Sequence, residues 1–234
     1  MTTWTIEHDG DVALLSRDDG KANTVLVPEF QGLEAALDTI AASKASAVVL
    51  TGRPGFFSAG LNLKALGAMS MQQKQELVSA MGSAVLKLFL FPRPVVAAVS
   101  GHALGGGAMF ALAADVRLFA EGAFKFGLNE VPAGLFVPTY AIELMRAAVS
   151  PAHLTPLVVH GRVINPGEAL AMNVAESVHA PEALKAAALA RARALGELNG
   201  TGYASTKRLV REGGAQLAKS RLAAELEQLA TLMG

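Results

Sequence analysis

Two glycine-rich segments carry the residues whose types and spacing could do chemistry. The first is Phe57-Ser58-Ala59-Gly60-Leu61, and the second is Gly101-His102-Ala103-Leu104-Gly105-Gly106-Gly107. Each follows a predicted strand and precedes a predicted helix, whose first backbone N–H groups have no acceptor within the helix. The helix dipole favours negative charge at such an end. One N–H group from each segment could therefore converge on a developing oxyanion.

The sequence excludes several other catalytic and binding motifs. No Lys-Ser/Thr pair follows the second segment, so it is not a P-loop, and Phe110 stands where a dinucleotide fingerprint needs its last glycine. Ser100 lacks the preceding glycine of a nucleophile elbow. The chain has no cysteine, and its five histidines form no helical H-x-x-x-H pair. We therefore expect no metal site and no thiol nucleophile.

The hydrophobic pattern predicts the strands and helices that position these two segments. Short β-branched runs predict strands, and apolar residues at helical spacing predict helices. The predicted strands are Trp4–His8 and Val12–Arg17 around an Asp9-Gly10 turn, Ala47–Thr51, Val95–Ser100, Val116–Phe119 and Ala123–Phe126. Residues 101–107 are predicted to form a turn. From Phe136 onward the chain is mostly helical, which predicts an α/β core with a helical C-terminal region.

Composition limits the class of protein. The chain has 234 residues, no formal net charge, 52% hydrophobic residues and 17% charged residues, which suits one large globular domain. A neutral chain has no general attraction for nucleic acid, so no nucleic-acid partner is expected. No apolar run is long enough to span a membrane, and the N-terminus does not resemble a signal peptide. A cytoplasmic protein without a membrane partner is the expectation.

The exact residues of the two segments resemble the signature loops of the crotonase family, the enoyl-CoA hydratase/isomerase superfamily. Arg17–Asn23 resembles the family's early R-P-x-x-x-N-A loop, with Asp18 in place of the proline. Pro92–Val99 is similar to its K-P-V-I-A-A-V strand, and Thr206-Lys207 to the T-K pair of its C-terminal helix. The resemblance covers nearly the whole chain. It implies an α/β fold of the crotonase type, a ββα superhelix with a helical C-terminal region.

The resemblance also implies an acyl-CoA thioester substrate and an oxyanion hole. The two donors would be the backbone N–H groups of Leu61 and Gly106. They would bind the thioester oxygen as it becomes an enolate. The other residues expected to contact the acyl-CoA are Ala59, Gly60, Gly105, Gly107, Met109 and Lys64.

The acid/base residues implied by the resemblance indicate the reaction. Hydratases of this family carry two glutamates, and the two positions here are Met109 and Glu130. Hydration must activate water and protonate C2, whereas moving a double bond needs only one base that takes up a proton and returns it. Gly127-Leu128-Asn129-Glu130 is most similar to the Δ3,Δ2-enoyl-CoA isomerase branch. The sequence therefore predicts an isomerase in which Glu130 is the catalytic base and no cofactor is used.

Two alternatives remain open. The same oxyanion hole would serve another crotonase-type enzyme, namely an enoyl-CoA hydratase, an acyl-CoA hydrolase or a decarboxylase. The chain could also be a non-catalytic binding protein with this fold. By resemblance, residues 1–149 should form the spiral core and residues 150–234 a helical trimerisation region. The expected assembly is a homotrimer, or a hexamer made of two trimers.

Overall fold

The structure is a computed structural model that describes residues 4–233, with side chains described as far as residue 231. The strands are β1 (Trp4–Asp9), β2 (Val12–Arg17), β3 (Thr24–Val25), β4 (Ala47–Thr51), β5 (Gly55–Ser58), β6 (Gly60–Leu61), β7 (Val95–Val99), β8 (Gly101–Leu104), β9 (Val116–Ala120), β10 (Phe126–Gly127) and β11 (Ser177–His179). The α-helices are α1 (Val27–Ala42), α2 (Leu63–Ala68), α3 (Met71–Phe89), α4 (Gly106–Ala113), α5 (Thr139–Ala148), α6 (Pro151–Leu154), α7 (Pro166–Ala171), α8 (Pro181–Gly196) and α9 (Gly200–Met233). A 3₁₀ turn covers Val131–Ala133, and a π-helical turn, Thr155–Val159, extends α6.

Within residues 4–233, a six-stranded sheet in the order β1-β2-β4-β7-β9-β11 forms the centre of the molecule. β1 and β2 form the predicted antiparallel hairpin, with Asp9 opposite Val12. The other neighbouring strands are parallel. β4 and β7 are almost continuous runs of buried valine, alanine and leucine, which is typical of parallel strands covered on both faces. Helix α8 packs on one face, and the main core with α1, α3 and α4 lies on the other.

Two smaller sheets hold the glycine segments. β8 lies between β5 and β10, and β3 pairs with β6, in each case parallel. The predicted turn over residues 101–107 is therefore wrong for residues 101–104, which are strand β8. Gly101 is needed there because a Cβ atom would collide with the backbone of Gly55 on the neighbouring strand. The strand predicted at Ala123–Phe126 is also misplaced, since pairing there is confined to Phe126–Gly127.

The C-terminal region is mostly helical, as predicted, but it also adds β11 to the edge of the central sheet. Its last helix, α9, packs against α3 and α5. Buried ion pairs anchor this helix: the carboxylate of Asp115 lies 2.7 Å from Lys207 Nζ and 3.1 Å from Arg211 Nη2. The division of the chain at residue 149 stays a prediction.

The remaining predictions concern membrane-spanning helices and the oligomeric state. No helix in the part of the chain that the structure describes combines the length and the hydropathy that a membrane crossing requires. The assembly into trimers or hexamers stays a prediction.

Candidate functional site

The first glycine segment runs from β5 through β6 into α2. Gly60 has a φ of +79°, and a Cβ atom at this position would collide with the carbonyl oxygen of Leu104. The next residue, Leu61, pairs with Val25 in the two-residue sheet, and the N–H of Asn62 donates to the Val25 carbonyl. Because successive N–H groups of an extended strand point in opposite directions, the Leu61 N–H points away from β3.

The second segment ends at the N-terminus of α4. Gly105 precedes the helix with a φ of +50°, and Gly106 is the first helical residue, so its N–H has no acceptor within the helix. A Cβ atom on Gly107 would collide with the carbonyl oxygen of Ser58, so the two segments are in backbone contact. The Gly106 nitrogen would lie 3.2 Å from a Cβ atom on Gly60, the residue before Leu61. The structure therefore brings the two N–H groups to adjoining backbone, on the positive end of the α4 dipole.

Glu130 lies beside these two segments. Its Oε1 would be 3.2 Å from a Cβ atom on Gly105. Its Oε2 is buried and has no hydrogen-bond partner among the described residues. Burial raises the pKa of Glu130 from its usual value to about 7, against the smaller opposing effect of a backbone hydrogen bond. A carboxyl group with this pKa can both take up and release a proton near neutral pH.

A narrow, mostly apolar cavity of about 40 Å³ lies beside Leu61 and Glu130. This volume is enough for one or two water molecules. Leu61, Met109 and Glu130, which the sequence singled out, all line it, whereas Gly106 is not among its lining residues. The remaining lining residues come from α2, α3, the loop before α5, and α9; they are Leu66, Lys74, Val78, Met81, Leu135, Phe136, Pro138 and Leu229.

Sequence reasoning missed most of this second set. Met81 and Leu229 belong to apolar helical stripes that predict an ordinary core, and nothing in a one-dimensional pattern separates a core residue from a cavity wall. Lys74 has no motif around it. Its position becomes apparent only when α3 is packed beside Glu130.

The remaining predicted site residues fall into two groups. Ala59, Gly60, Gly105 and Gly107 lie in the two contacting segments, and the Ala59 N–H donates to the carbonyl of Ala22 at 2.9 Å. Lys64 lies outside these segments and is exposed in the first turn of α2. None of these five residues lines the cavity. Asn62 caps α2 by accepting from the Ala65 N–H at 3.1 Å.

A second, larger groove lies elsewhere. It measures about 590 Å³ and runs beside the face of the central sheet that α8 covers, with Leu14, Val49 and Ala98 among its lining residues. Leu61, Gly106 and Glu130 do not line it. We favour the small cavity as the functional site, because Leu61 and the desolvated carboxyl group of Glu130 both line it. Within residues 4–233, no three His, Cys, Asp or Glu side chains come together as they would to hold a metal ion.

Comparisons with known proteins agree with this geometry. A family model for enoyl-CoA hydratase/isomerase matches residues 9–233. The probable enoyl-CoA hydratase EchA17 of Mycobacterium tuberculosis is 36% identical over 148 residues. That match covers 63% of this chain and 56% of the relative, so it spans little more than half of the relative's length.

Solved structures give the fold. The apo structure of an enoyl-CoA isomerase of M. tuberculosis is 28% identical, with a TM-score of 0.87 over 98% of each chain. Human mitochondrial Δ3-Δ2-enoyl-CoA isomerase has a TM-score of 0.95 over 100% of this chain and 92% of that chain; its 22% identity makes this a likeness of fold alone. The predicted crotonase fold is thus confirmed, and the match over residues 9–233 shows that the chain belongs to the enoyl-CoA hydratase/isomerase family.

Proposed function

We propose that the chain is an acyl-CoA isomerase that moves the double bond of a 3-enoyl-CoA to give the trans-2-enoyl-CoA. The observation that carries this proposal is the composition of the cavity wall. Glu130 is the one carboxylate among the described residues that line the cavity. Met109 is fully buried at the position where the resemblance puts the second glutamate of a hydratase. A single base suffices for a proton shuttle but serves hydration poorly.

The proposed reaction begins with the thioester oxygen between the N–H groups of Leu61 and Gly106. Ionised Glu130 takes a proton from C2, and the resulting dienolate is stabilised by the two donors and the α4 dipole. Protonated Glu130 then returns the proton to C4, so that the double bond lies between C2 and C3. One carboxyl group thus takes up the proton and returns it. The reaction requires no metal or redox cofactor, since CoA is part of the substrate.

The surroundings of Glu130 support this role. Its buried Oε2 has no partner among the described residues, so no ion pair competes for the proton. A pKa of about 7 keeps a large share of the carboxyl groups ionised at neutral pH, and it also lets the protonated form give up its proton. The cavity must widen to admit an acyl chain, since about 40 Å³ is far below the volume of a small-molecule site.

An enoyl-CoA hydratase is the second candidate. The observation that favours it is the name of the relative EchA17, a probable hydratase that is 36% identical over the matched region. In a hydratase, Glu130 would activate water alone, because Met109 offers neither a charge nor a hydrogen-bond acceptor of useful strength.

A parallel assay of wild type with crotonyl-CoA and a 3-enoyl-CoA tests the proposal. We expect isomerisation to be faster than hydration by at least about tenfold, since only hydration needs a second group to hold water. Hydration as fast as isomerisation, or faster, would move the protein to the hydratase class. Activity on neither substrate, with acyl-CoA still bound, would support the hydrolase, decarboxylase or binding-protein alternatives.

The Met109→Glu variant sharpens this assay. The new carboxylate would lie one helical turn from Gly106 and could hold the water that hydration needs. We expect a small gain of hydration and a loss of isomerisation. A buried carboxylate without a partner is unfavourable, so a lower melting temperature is also expected.

A further inference from the structure

Asn23 is a buried polar residue that the proposed chemistry does not use. It lies in the loop between β2 and β3, has no exposed surface, and has a φ of +52°. Non-glycine residues rarely adopt this conformation, although asparagine does so more readily than most. A buried residue held there by its surroundings suggests a specific role for its side chain or its backbone.

The side-chain amide of Asn23 joins two segments of the chain. Its Nδ2 donates to the carbonyl of Arg17 at 2.8 Å and reaches the carbonyls of Phe56 and Phe57 at 3.2 and 3.3 Å. Its Oδ1 accepts from the N–H of Asp19 at 2.9 Å. The two amide hydrogens are therefore fully used, and one of them ties the early loop to the strand that leads into the first glycine segment.

The backbone of Asn23 continues this connection towards Leu61. Its carbonyl accepts from the Ser58 hydroxyl at 2.7 Å, and the Ser58 Oγ accepts from the Gly60 N–H at 3.2 Å. Residues 24 and 25 then pair with Gly60 and Leu61 as the β3–β6 sheet. The hydrogen bonds of Asn23 and Ser58 fix the backbone that precedes Leu61, and the Asn62 N–H, which donates to the Val25 carbonyl, fixes the backbone that follows it.

The two oxyanion donors therefore differ in how they are held. The Gly106 N–H is fixed by a helix, whose geometry needs no outside help. The Leu61 N–H lies on a two-residue strand whose partners come from residues 22–25. A strand this short cannot hold its own direction, since a two-residue pairing contributes few hydrogen bonds.

We propose that Asn23 is a positioning residue, whose amide and carbonyl hold the first glycine segment so that the Leu61 N–H points at the thioester oxygen. This inference rests on the proposed oxyanion hole, although it does not depend on which reaction follows enolate formation. Asparagine is required because the site needs donors on one side of the side chain and an acceptor on the other. Aspartate would set a negative charge against three carbonyl oxygens.

The experiment compares Asn23→Asp and Asn23→Gly with the same two changes at Asn173. Asn173 has a nearly identical φ of +57°, is exposed, and lies outside the cavity, so it controls for the backbone conformation. The glycine variant keeps the conformation and removes only the side chain. The measurements are kcat and KM with a 3-enoyl-CoA, the affinity for a saturated acyl-CoA, and the infrared carbonyl stretch of a bound thioester labelled with ¹³C.

We expect both Asn23 variants to lose roughly 10²–10³-fold in kcat, the usual loss for one oxyanion donor, with KM changed only severalfold. The bound carbonyl stretch should move to higher frequency, because a weaker hydrogen bond polarises the carbonyl less. The Asn173 variants should match wild type in all measurements. If both Asn23 variants fail to fold, Ser58→Ala replaces them, with the same frequency shift and about a tenfold loss of kcat expected from a lost link in the path.

Two results would overturn the proposal for Asn23. One is a kcat within about threefold of wild type in the folded variants, and the other is a lower kcat with an unchanged carbonyl frequency, which a purely structural defect would give. A wild type that polarises the bound thioester but does not isomerise a 3-enoyl-CoA overturns the proposed function alone. A wild type that binds no acyl-CoA thioester overturns both.

Discussion

Each end of helix α4 lies beside a carboxyl group that is largely removed from solvent, but the two groups differ in their hydrogen-bond and ion-pair partners. At the N-terminal end, Glu130 lies beside Gly105 with one oxygen unpartnered among the described residues. At the C-terminal end, Asp115 accepts from the Val95 N–H at 2.7 Å and pairs with two cations of α9. The Oε2 of the first carboxyl group has no partner among the described residues, and the second carboxyl group is paired with two cations.

The backbone of α4 follows the same division. Its first N–H groups have no acceptor within the helix, whereas its last carbonyls accept from guanidinium groups: Arg211 Nη1 donates to Ala113 at 3.2 Å, and Arg117 Nη1 to Ala114 at 3.0 Å. The dipole is thus neutralised at one end and left available at the other. Removing a paired carboxylate leaves its cations buried without a partner, whereas a carboxyl group with a perturbed pKa and no partner is a candidate for chemistry.

Glu130→Gln tests the reactive end and should have the largest effect. The amide keeps the shape of the carboxylate but cannot accept the proton, so turnover of a 3-enoyl-CoA should fall by about 10²–10⁴-fold or more. Affinity for a saturated acyl-CoA should stay close to that of wild type. The control is Glu121→Gln, which changes an exposed glutamate. A variant that keeps more than about a tenth of wild-type turnover would show that Glu130 is not the base.

Asp115→Asn tests the structural end. Removing the negative charge leaves Lys207 and Arg211 buried without their carboxylate, so the free energy of unfolding should fall by roughly 3–5 kcal/mol in denaturant titrations. Asp38→Asn is a matched control, because Asp38 also lies 2.7 Å from a lysine, Lys87, but is exposed. That change should cost less than about 1 kcal/mol. Equal losses in the two variants would contradict the assigned difference.

The pH dependence of turnover tests the pKa of Glu130. Protonated Glu130 cannot act as a base, so kcat/KM should rise about tenfold per pH unit below the pKa of about 7 and level off above it. A limb near pH 4.5 instead would mean that burial does not shift this group.

Stability should change over the same pH range in the opposite sense. The folded state favours the neutral carboxyl group, so its contribution to stability is present below about pH 4.5 and is lost as the pH rises through about 7. The Glu130→Gln variant has no titratable group at this position, so it does not lose stability in this way. Its unfolding free energy should therefore exceed that of wild type by up to about 3 kcal/mol at pH 8, and match it at pH 4. Melting curves of wild type and Glu130→Gln, recorded at pH 4 and at pH 8, measure this difference.

Much of this protein could be predicted from its sequence. The hairpin around Asp9-Gly10 and the buried strands β4 and β7 follow from local composition, because turn chemistry and β-branched runs restrict the backbone directly. The two glycine segments can also be recognised in the sequence from their composition. The structure shows that Gly60 and Gly107 leave no room for a Cβ atom. The resemblance carried by these residues gave the family and identified Glu130 as a candidate base.

Only the tertiary structure decided which residues surround that base. The strand at residues 101–104 was missed because it is made by pairing with distant strands and not by local propensity. Lys74 and Leu229 line the cavity, while Lys64 does not, although all three lie in unremarkable helical sequence. The burial of Glu130, the lack of a partner for its Oε2 in the part of the chain that the structure describes, and its raised pKa depend on groups far apart in the sequence. A sequence specifies which side chains are present, whereas their desolvation depends on what the fold packs around them.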